Sequence, residues 1–194
     1  MLIKHLLKKI RRKDEESERV IFEMFYERVY YTAYYILKDR ELAQDVVQET
    51  FVKAFAHMDT VKDGEKLGAW LAAIASRTAI DYVRKIKRWN EIVTEDVIIN
   101  EQIIEQASTV ESIVEERALK ELLLKEIDEL KPDHKQVLIL KYLYDMKYEE
   151  IAQALDLNIA TVKSRTHRAK LKLREALEKQ PDLREEIISN AKIW

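Results

Sequence analysis

Cysteine is absent from this 194-residue chain, and glycine and proline occur only twice each. Without cysteine, the chain has no disulfide framework and no thiolate metal site. The four histidines lie far apart, without a histidine or carboxylate partner at the spacing of metal ligands. No run approaches the ~18 apolar residues of a membrane-spanning helix, and the first residues lack the pattern of a signal peptide. We therefore expect a cytoplasmic protein with no metal and no other cofactor.

The scarcity of turn residues also bears on the fold class. All-β folds need many turns that contain glycine or proline. Disordered chains usually carry more of both residues and fewer apolar residues than the 47% found here. The composition therefore predicts an all-α fold. It contains no glycine-rich phosphate loop, nucleophile motif or His–carboxylate cluster, so we do not expect an enzyme.

The charges are sorted along the chain although their sum is only −2. Three blocks are basic: 1–13 with six Lys/Arg, 84–88 with four, and 159–174 with six, the first and last without any acid. Residues 91–116 carry eight Asp/Glu and no Lys/Arg. A nearly neutral chain is therefore divided into three basic segments and one acidic segment.

Apolar spacing predicts how the chain is organised. Helical periodicity covers 15–38, 41–57 and about 69–88, with Asp39 as a candidate N-cap and a loop at 61–68, where both glycines fall. We expect two small helical domains joined by an acidic linker. The predicted divisions are a basic amphipathic extension (1–13), a first domain (14–90), the linker (91–113), a second domain (114–179) and a tail (180–194).

Residues 148–173 have the pattern of a helix-turn-helix. Ile151, Ala152 and Leu155 mark one face of a short helix, and Asn158 is a good N-cap for the next helix. Hydroxyl, guanidinium and imidazole groups near a helix N-terminus suit base edges in the major groove. The alternative is a solvated basic face, but such faces normally mix both signs. The candidate DNA-binding residues are Thr161, Lys163, Ser164, Arg165, His167 and Arg168.

At these residues the chain resembles the extracytoplasmic-function (ECF) group of bacterial sigma factors. The string Thr161–Arg165, followed by Arg168-Ala169, is close to the pattern of sigma region 4, which reads the minus-thirty-five element. Asp45–Phe51 with Lys53–Phe55 resembles region 2.2. The pairs Trp70-Leu71, Ile74-Ala75 and Arg84-Lys85, together with Asp81, resemble regions 2.3 and 2.4, which melt and capture the minus-ten element. Both motif sets occur in the order and at the separation that the family shows.

The resemblance implies residue roles in the first domain. The helix at 41–57 would dock on the clamp helices of the largest polymerase subunit through Arg40, Asp45, Gln48, Glu49 and Lys53. Single-stranded minus-ten DNA would be held by cations on its backbone and aromatic rings on its bases. The candidates for this role are Lys66, Arg77, Tyr82, Arg84, Lys85, Lys87, Arg88 and Trp89.

The aromatic run Phe22 to Tyr35 and Trp70 are expected to be core rather than stacking residues. Arg77 stands where the family commonly has Asn, which leaves the identity of the captured base open.

The acidic linker is either a nucleic-acid mimic for a polymerase channel or a self-repelling spacer. The basic extension is either an amphipathic helix or a disordered arm.

We therefore expect a sigma factor that binds core RNA polymerase and promoter DNA, both duplex and single-stranded. The resemblance also implies an anti-sigma partner, with membrane contact only indirectly through that partner, and no small-molecule substrate. The alternative is a stand-alone helix-turn-helix regulator, which would need a dimer interface and a palindromic site.

Overall fold

The computed structural model describes residues 14–61, 63–92 and 123–179, and within these ranges it contains helices and turns but no strand. This confirms the all-α prediction. The first part comprises α1 (Glu15–Leu37), α2 (Arg40–Ala56), 3-10 turns at Met58–Thr60 and Gly64–Lys66, and α3 (Leu67–Ile92). After a helical segment at 123–128, the second part comprises α4 (Pro132–Leu138), a π-helical turn (Ile139–Leu143), α5 (Tyr148–Leu155) and α6 (Ile159–Glu178). The predictions for 1–13, 93–122 and 180–194, which include most of the linker and the start of the second domain, lie outside the described residues.

Side-chain caps set the beginnings of α1 and α2. The carboxylate of Asp14 accepts a hydrogen bond from the Ser17 N–H, and that of Asp39 accepts one from the Leu42 N–H at 2.9 Å. Between the two helices, Lys38 takes the left-handed conformation, with φ 57°, and donates its N–H to the Tyr34 carbonyl. The predicted N-cap at Asp39 is confirmed, and the short connection makes α1 and α2 antiparallel neighbours.

The core of the first domain lies between α1, α2 and α3. Ile21, Val29, Val47 and Leu71 are at most 1% exposed, and each contributes about 1.5–3 kcal/mol by burial. On α2, Val46 and Phe51 are buried, whereas Leu42 and Phe55 are half-buried. The aromatic residues of α1 were expected in the core, and they lie partly there and partly on the surface. Phe25 and Tyr34 are buried, but Tyr31 is exposed.

The glycine segment is more regular than the predicted loop. Residues Gly64–Lys66 form a 3-10 turn, and α3 begins at Leu67, so Gly68 lies inside its first turn. A Cβ atom at Gly68 would lie only 3.2 Å from Phe25 Cε1 and 3.3 Å from Arg28 Nη1. This glycine therefore permits a close approach of α3 to α1, which sequence spacing alone does not reveal.

The second domain contains the predicted helix-turn-helix. Pro132 opens α4 at its first turn, as its fixed φ favours. Asp156 ends α5 in the left-handed conformation, and the Asn158 side chain caps α6 by accepting from the N–H groups of Ala160 and Thr161 at 2.7 and 3.2 Å. The predicted N-cap at Asn158 is confirmed. Val162 packs with α5 in the interior of the motif.

The two domains pack directly against each other. Ala72 and Ala73 on α3 share a buried cluster with second-domain side chains, among them Val137 and Leu140. Beside it, Gln136 Nε2 donates to Ser76 Oγ at 3.3 Å within the buried interface. The sequence predicted two domains and a linker, but it did not predict this contact.

Candidate nucleic-acid and polymerase interfaces

The second helix of the motif, α6, presents most of its predicted DNA-binding residues to solvent. Lys163, Ser164, His167 and Arg168 are exposed, and Thr161 is half-buried close to the N-terminus of the helix. Val162, Thr166 and Ala169 occupy the buried face between them. The exposed residues therefore share the outer side of α6, where a major groove could receive the helix.

Arg165 differs from its neighbours on α6. Its side chain is only 20% exposed, and its Nη2 lies 3.2 Å from Asp133 Oδ2 in the first turn of α4. The pKa of nearby His134 is lowered by burial and by the cations Lys131, Arg165 and Arg168. The guanidinium of Arg165 therefore ties α6 to α4 and adds to the positive potential beside the exposed face.

Two tyrosines near α6 were not identified from the sequence. The ammonium groups of Lys141 and Lys163 lie 5.4 and 5.9 Å from the ring centroid of Tyr148, and that of Lys170 lies 5.3 Å from the ring centroid of Tyr142. Cation–π contacts hold such flexible ammonium groups in place. Because most of these partners are far apart in the sequence, helical spacing gave no signal for the cluster.

The end of α3 combines cations with an exposed aromatic ring. The Trp89 side chain is 70% exposed, and Lys85 Nζ lies 5.3 Å from the ring centroid of the half-buried Tyr82. Ile86, which was not among the predicted residues, is also exposed. All four predicted cations are exposed on this part of the helix: Arg84, Lys85, Lys87 and Arg88.

A cleft of about 500 Å³ lies beside Arg77, another of the predicted minus-ten residues. Its lining includes Lys53, Trp70, Ile74 and Arg77 of the first domain, together with Ala154 on α5 of the second. Trp70 was expected in the core. It is half-buried instead, since it packs on the core while also lining this cleft.

Lys66 lies at the rim between the two domains. Its Nζ donates to Glu150 Oε1 on α5 at 2.5 Å. This hydrogen bond raises the pKa of Lys66 and lowers that of Glu150. Glu150 also accepts from the Lys147 N–H at 2.9 Å, and this second bond caps α5. A predicted DNA-binding cation is thus paired with a carboxylate of the other domain.

The predicted polymerase-binding residues on α2 fall into two groups. Arg40, Asp45 and Gln48 are exposed. Glu49 and Lys53 form an ion pair at 2.6 Å, and the hydrogen bond from Lys53 lowers the pKa of Glu49. Lys53 also donates to Thr78 Oγ1 on α3 at 3.1 Å, which fixes it to the helix that carries the minus-ten candidates.

Val52 extends the exposed part of α2 and was not predicted. Its side chain is 70% exposed, although it is apolar. It follows Gln48 by four residues and Asp45 by seven, so the three side chains lie on one face of the helix. In the sequence, Val52 could have been recognised as an apolar residue at the helical spacing of the polar residues Asp45 and Gln48.

Other kinds of site find little support in the described ranges. Among these residues, no group of three or more His, Asp or Glu side chains is arranged to hold a metal ion. The helices in the same ranges also include none that is long and apolar enough to cross a membrane.

Comparison with known proteins agrees with this arrangement. The family model "Sigma-70 region 2" matches residues 21–89, and "Sigma-70, region 4" matches residues 120–173. The ECF RNA polymerase sigma factor SigW of Bacillus subtilis is 30% identical over 185 residues, which cover 93% of this chain and 97% of that protein. The ECF sigma factor SigM of the same organism is 32% identical over 154 residues, covering 79% and 91%.

A solved structure also resembles this fold. The sigma factor RpoE of Bartonella quintana, in complex with the anti-sigma factor NepR, aligns with a TM-score of 0.64 and 25% identity over 84% of this chain and 97% of that one. Two helical domains, the second a helix-turn-helix, define a DNA-binding transcription protein. The matched regions narrow this class: the chain belongs to the ECF RNA polymerase sigma factors, which direct promoter recognition.

Proposed function

We propose that this sigma factor reads promoter DNA with two surfaces and docks on polymerase with a third. In the division proposed from the sequence, 14–90 carries polymerase and minus-ten binding, and 114–179 carries minus-thirty-five binding. The observation that carries the proposal is the exposure of cations on both domains, with Arg84–Arg88 beside the exposed ring of Trp89 on one and Lys163 and Arg168 on the other.

For duplex DNA, Lys163, Ser164, His167 and Arg168 are proposed to enter the major groove, with Thr161 at the leading end of the helix. Arg165 is proposed to act mainly by orienting α6, because its guanidinium is paired with Asp133. Replacing Arg168 with Ala should weaken duplex binding by about 1–3 kcal/mol, as for a base contact. Arg165→Ala should lower the thermal stability of the chain more than Arg168→Ala does. If the two variants changed duplex binding equally and thermal stability equally, the proposed difference between the roles of Arg165 and Arg168 would be wrong.

For the melted strand, Trp89 is proposed to stack on a base while the neighbouring cations hold the phosphates. Arg77, which lines the cleft, and Lys66 are proposed to contact the same strand. Trp89→Ala should weaken binding of single-stranded DNA by about 1–3 kcal/mol. Ile86→Ala, which removes an exposed apolar side chain from the same helix, is the matched control.

For polymerase docking, Arg40, Asp45 and Gln48 are proposed to meet the clamp helices directly. Glu49 and Lys53 are proposed to complete that face, and Val52 to provide its apolar contact. Val52→Asp should reduce co-elution with core polymerase, because a carboxylate would be buried at the contact without a partner. Leu171→Asp, the same kind of change at an exposed apolar residue of α6, controls for the added charge.

An anti-sigma protein is the further proposed partner. The supporting observation is that the aligned RpoE structure is that of a sigma factor with its anti-sigma factor. As a sigma factor, this chain is proposed to catalyse no bond chemistry, to take no small-molecule substrate, and to act in the cytoplasm. Any contact with a membrane would then be indirect, through the anti-sigma partner.

The decisive experiment mixes the full chain with bacterial core RNA polymerase and measures co-elution, then opening of promoter fragments selected from a genomic library. Co-elution with promoter opening supports the proposal. A folded chain that ignores the polymerase, yet dimerises on a palindromic duplex, would instead establish a stand-alone regulator.

A further inference from the structure

We propose that Tyr148 is a positioning residue for duplex binding, because its ring holds the ammonium groups of Lys141 and Lys163 for the phosphates at one edge of the major groove. This inference rests on the proposed minus-thirty-five role of α6 and divides that surface into two parts. The two lysines contact the DNA backbone, whereas Arg168 and its exposed neighbours remain for base edges. We call Tyr148, Lys141 and Lys163 together the phosphate clamp.

The ring of the phosphate clamp is fixed by packing. Tyr148 is the first residue of α5, is half-buried, and packs against the buried cluster that contains Ile151 and Val162. Val162 is fully buried, and its packing on α5 also fixes the turn of α6 from which Lys163 extends. Lys141 reaches the same ring from the π-helical turn. Three segments of the second domain therefore meet at one aromatic side chain.

Both ammonium groups lie close to this ring. The distances from the ring centroid are 5.4 Å for Lys141 Nζ and 5.9 Å for Lys163 Nζ, within the roughly 6 Å at which the face of a ring attracts a cation. Lys141 Nζ also donates to the Met146 carbonyl at 3.2 Å. An ammonium group has further donors, so Lys141 can still bind a phosphate oxygen. Because two like charges share one ring, an anion that bridges them is favoured.

An aromatic ring holds a cation without neutralising it. Three other cations of α6 are paired with carboxylates: Arg165 with Asp133, Lys172 with Glu129, and Arg174 with Glu178. The ring of Tyr148 carries no net charge, so Lys163 keeps its full positive charge while its flexible side chain is held in place. A phosphate that binds Lys163 in this contact displaces no carboxylate, and less side-chain entropy is lost on binding.

The position of Tyr148 in the motif indicates which part of the duplex the clamp meets. In helix-turn-helix proteins the second helix enters the major groove while the first helix crosses the backbone. Tyr148 begins the first helix, so its two lysines lie toward the strand that borders the groove. Phosphate contacts fix the register of a protein on DNA but carry no sequence information. The clamp should therefore set the affinity for duplex DNA without setting the sequence preference.

The first test removes the charges of the clamp. The full chain, Lys141→Met, Lys163→Met and Arg168→Ala are titrated with a duplex selected by the parent chain from a random library and with a scrambled duplex of equal length. Each lysine variant should weaken both duplexes by the same factor and lower the slope of log affinity against log salt by about 0.9. Arg168→Ala should instead reduce the preference for the selected duplex.

Lys125→Met, at an exposed lysine before α4, controls for the lost charge and should change neither quantity. If Lys163→Met reduced the sequence preference as Arg168→Ala does, Lys163 would read a base and the clamp would be wrong. An unchanged salt slope in both lysine variants would also overturn it.

The second test removes the ring. Tyr148→Leu should weaken both duplexes by about three- to tenfold, since each contact of a cation with a ring is a small interaction. Tyr148→Phe keeps the ring and should bind as the parent chain does. In a chain that already carries Lys141→Met and Lys163→Met, Tyr148→Leu should cause no further loss. The same loss with and without the lysines, or equal losses for Leu and Phe, would show that Tyr148 does not act through them.

The third test changes the electronic character of the ring and leaves its shape nearly unchanged. Phenylalanine analogues with one, two or three fluorine atoms, incorporated at position 148, progressively weaken the negative face that attracts cations. Duplex affinity should fall stepwise along this series while thermal unfolding stays the same. Constant affinity would leave Tyr148 only a packing role and overturn the proposal. If the parent chain bound neither duplex, the proposed minus-thirty-five role would fail instead, so the two failures are distinguishable.

Discussion

At the scale of single residues, Lys135 is the most unusual side chain in the described part of the molecule. It lies on α4 and is only 3% exposed. Burial lowers its pKa to about 8; Asp128 partly opposes this shift, and the cations Lys38 and Lys172 add to it. Removing a buried ammonium group of this kind should stabilise the fold, because Asp128 still keeps Lys38 as its partner.

We predict that Lys135→Met raises the free energy of unfolding at pH 7 by about 1–3 kcal/mol. Between pH 8 and 10.5 the folded chain has lost this proton and the unfolded chain has kept it, so the stability of the parent chain rises with pH in that window. The advantage of the variant should therefore shrink at pH 9.5. Urea unfolding of both chains at the two pH values tests this, with exposed Lys125→Met as the control; an advantage that does not change with pH would contradict it.

At the scale of helices, the cap of α6 serves both stability and DNA binding. The side chain of Asn158 satisfies two N–H groups at the end of the helix that is proposed to enter the groove. Asn158→Ala should lower the stability of the chain by about 1 kcal/mol. Asn158→Asp should preserve stability but weaken duplex binding, because it adds a negative charge beside the phosphates. Thermal unfolding and DNA titration separate the two effects, and a loss of stability in the Asp variant would contradict them.

Periodicity predicted most helices because each has a buried apolar face, and both named caps were readable from residue type. Periodicity did not predict the features that depend on contacts between helices distant in the sequence. At Gly68 the close approach of α1 leaves little room for a Cβ, and Trp70 is half-buried because it packs on the core and also lines the cleft that Ala154 helps to form. Arg165 was likewise indistinguishable from Arg168 in sequence, since its partner Asp133 lies on another helix. The exposed cations at 84–88 and on α6 were recognisable in the sequence as clusters of cations without acids, and their role in DNA binding stays a prediction.

At the scale of the whole molecule, α3 connects the two domains because it is buried on two sides. Leu71 and Ala75 face the first-domain core, and Ala72 and Ala73 face the second domain. The sequence shows only a run of small and apolar residues, which is also compatible with one broad buried face. Small side chains allow the second domain to approach closely, and this is why a contact between domains was not predictable from periodicity.

We predict that Ala72→Glu separates the domains without unfolding either. Its carboxylate would be buried in the interface between the domains, at a cost of several kcal/mol if unpaired, whereas separation returns it to water. Because the chain has no cysteine, Glu41→Cys on α2 and Glu175→Cys on α6 can carry one spin label each. The distance between the labels should be longer in Ala72→Glu than in the parent chain, while the helical circular dichroism stays unchanged. Ala56→Glu, on exposed α2 surface, should keep the parent distance.

Raising the salt concentration alone should separate the domains of the parent chain far less than Ala72→Glu does. Screening weakens the ion pairs Lys38–Asp128 and Lys66–Glu150 between the domains but leaves the apolar cluster intact. If salt separated the domains completely, these ion pairs rather than the apolar cluster would hold the domains together.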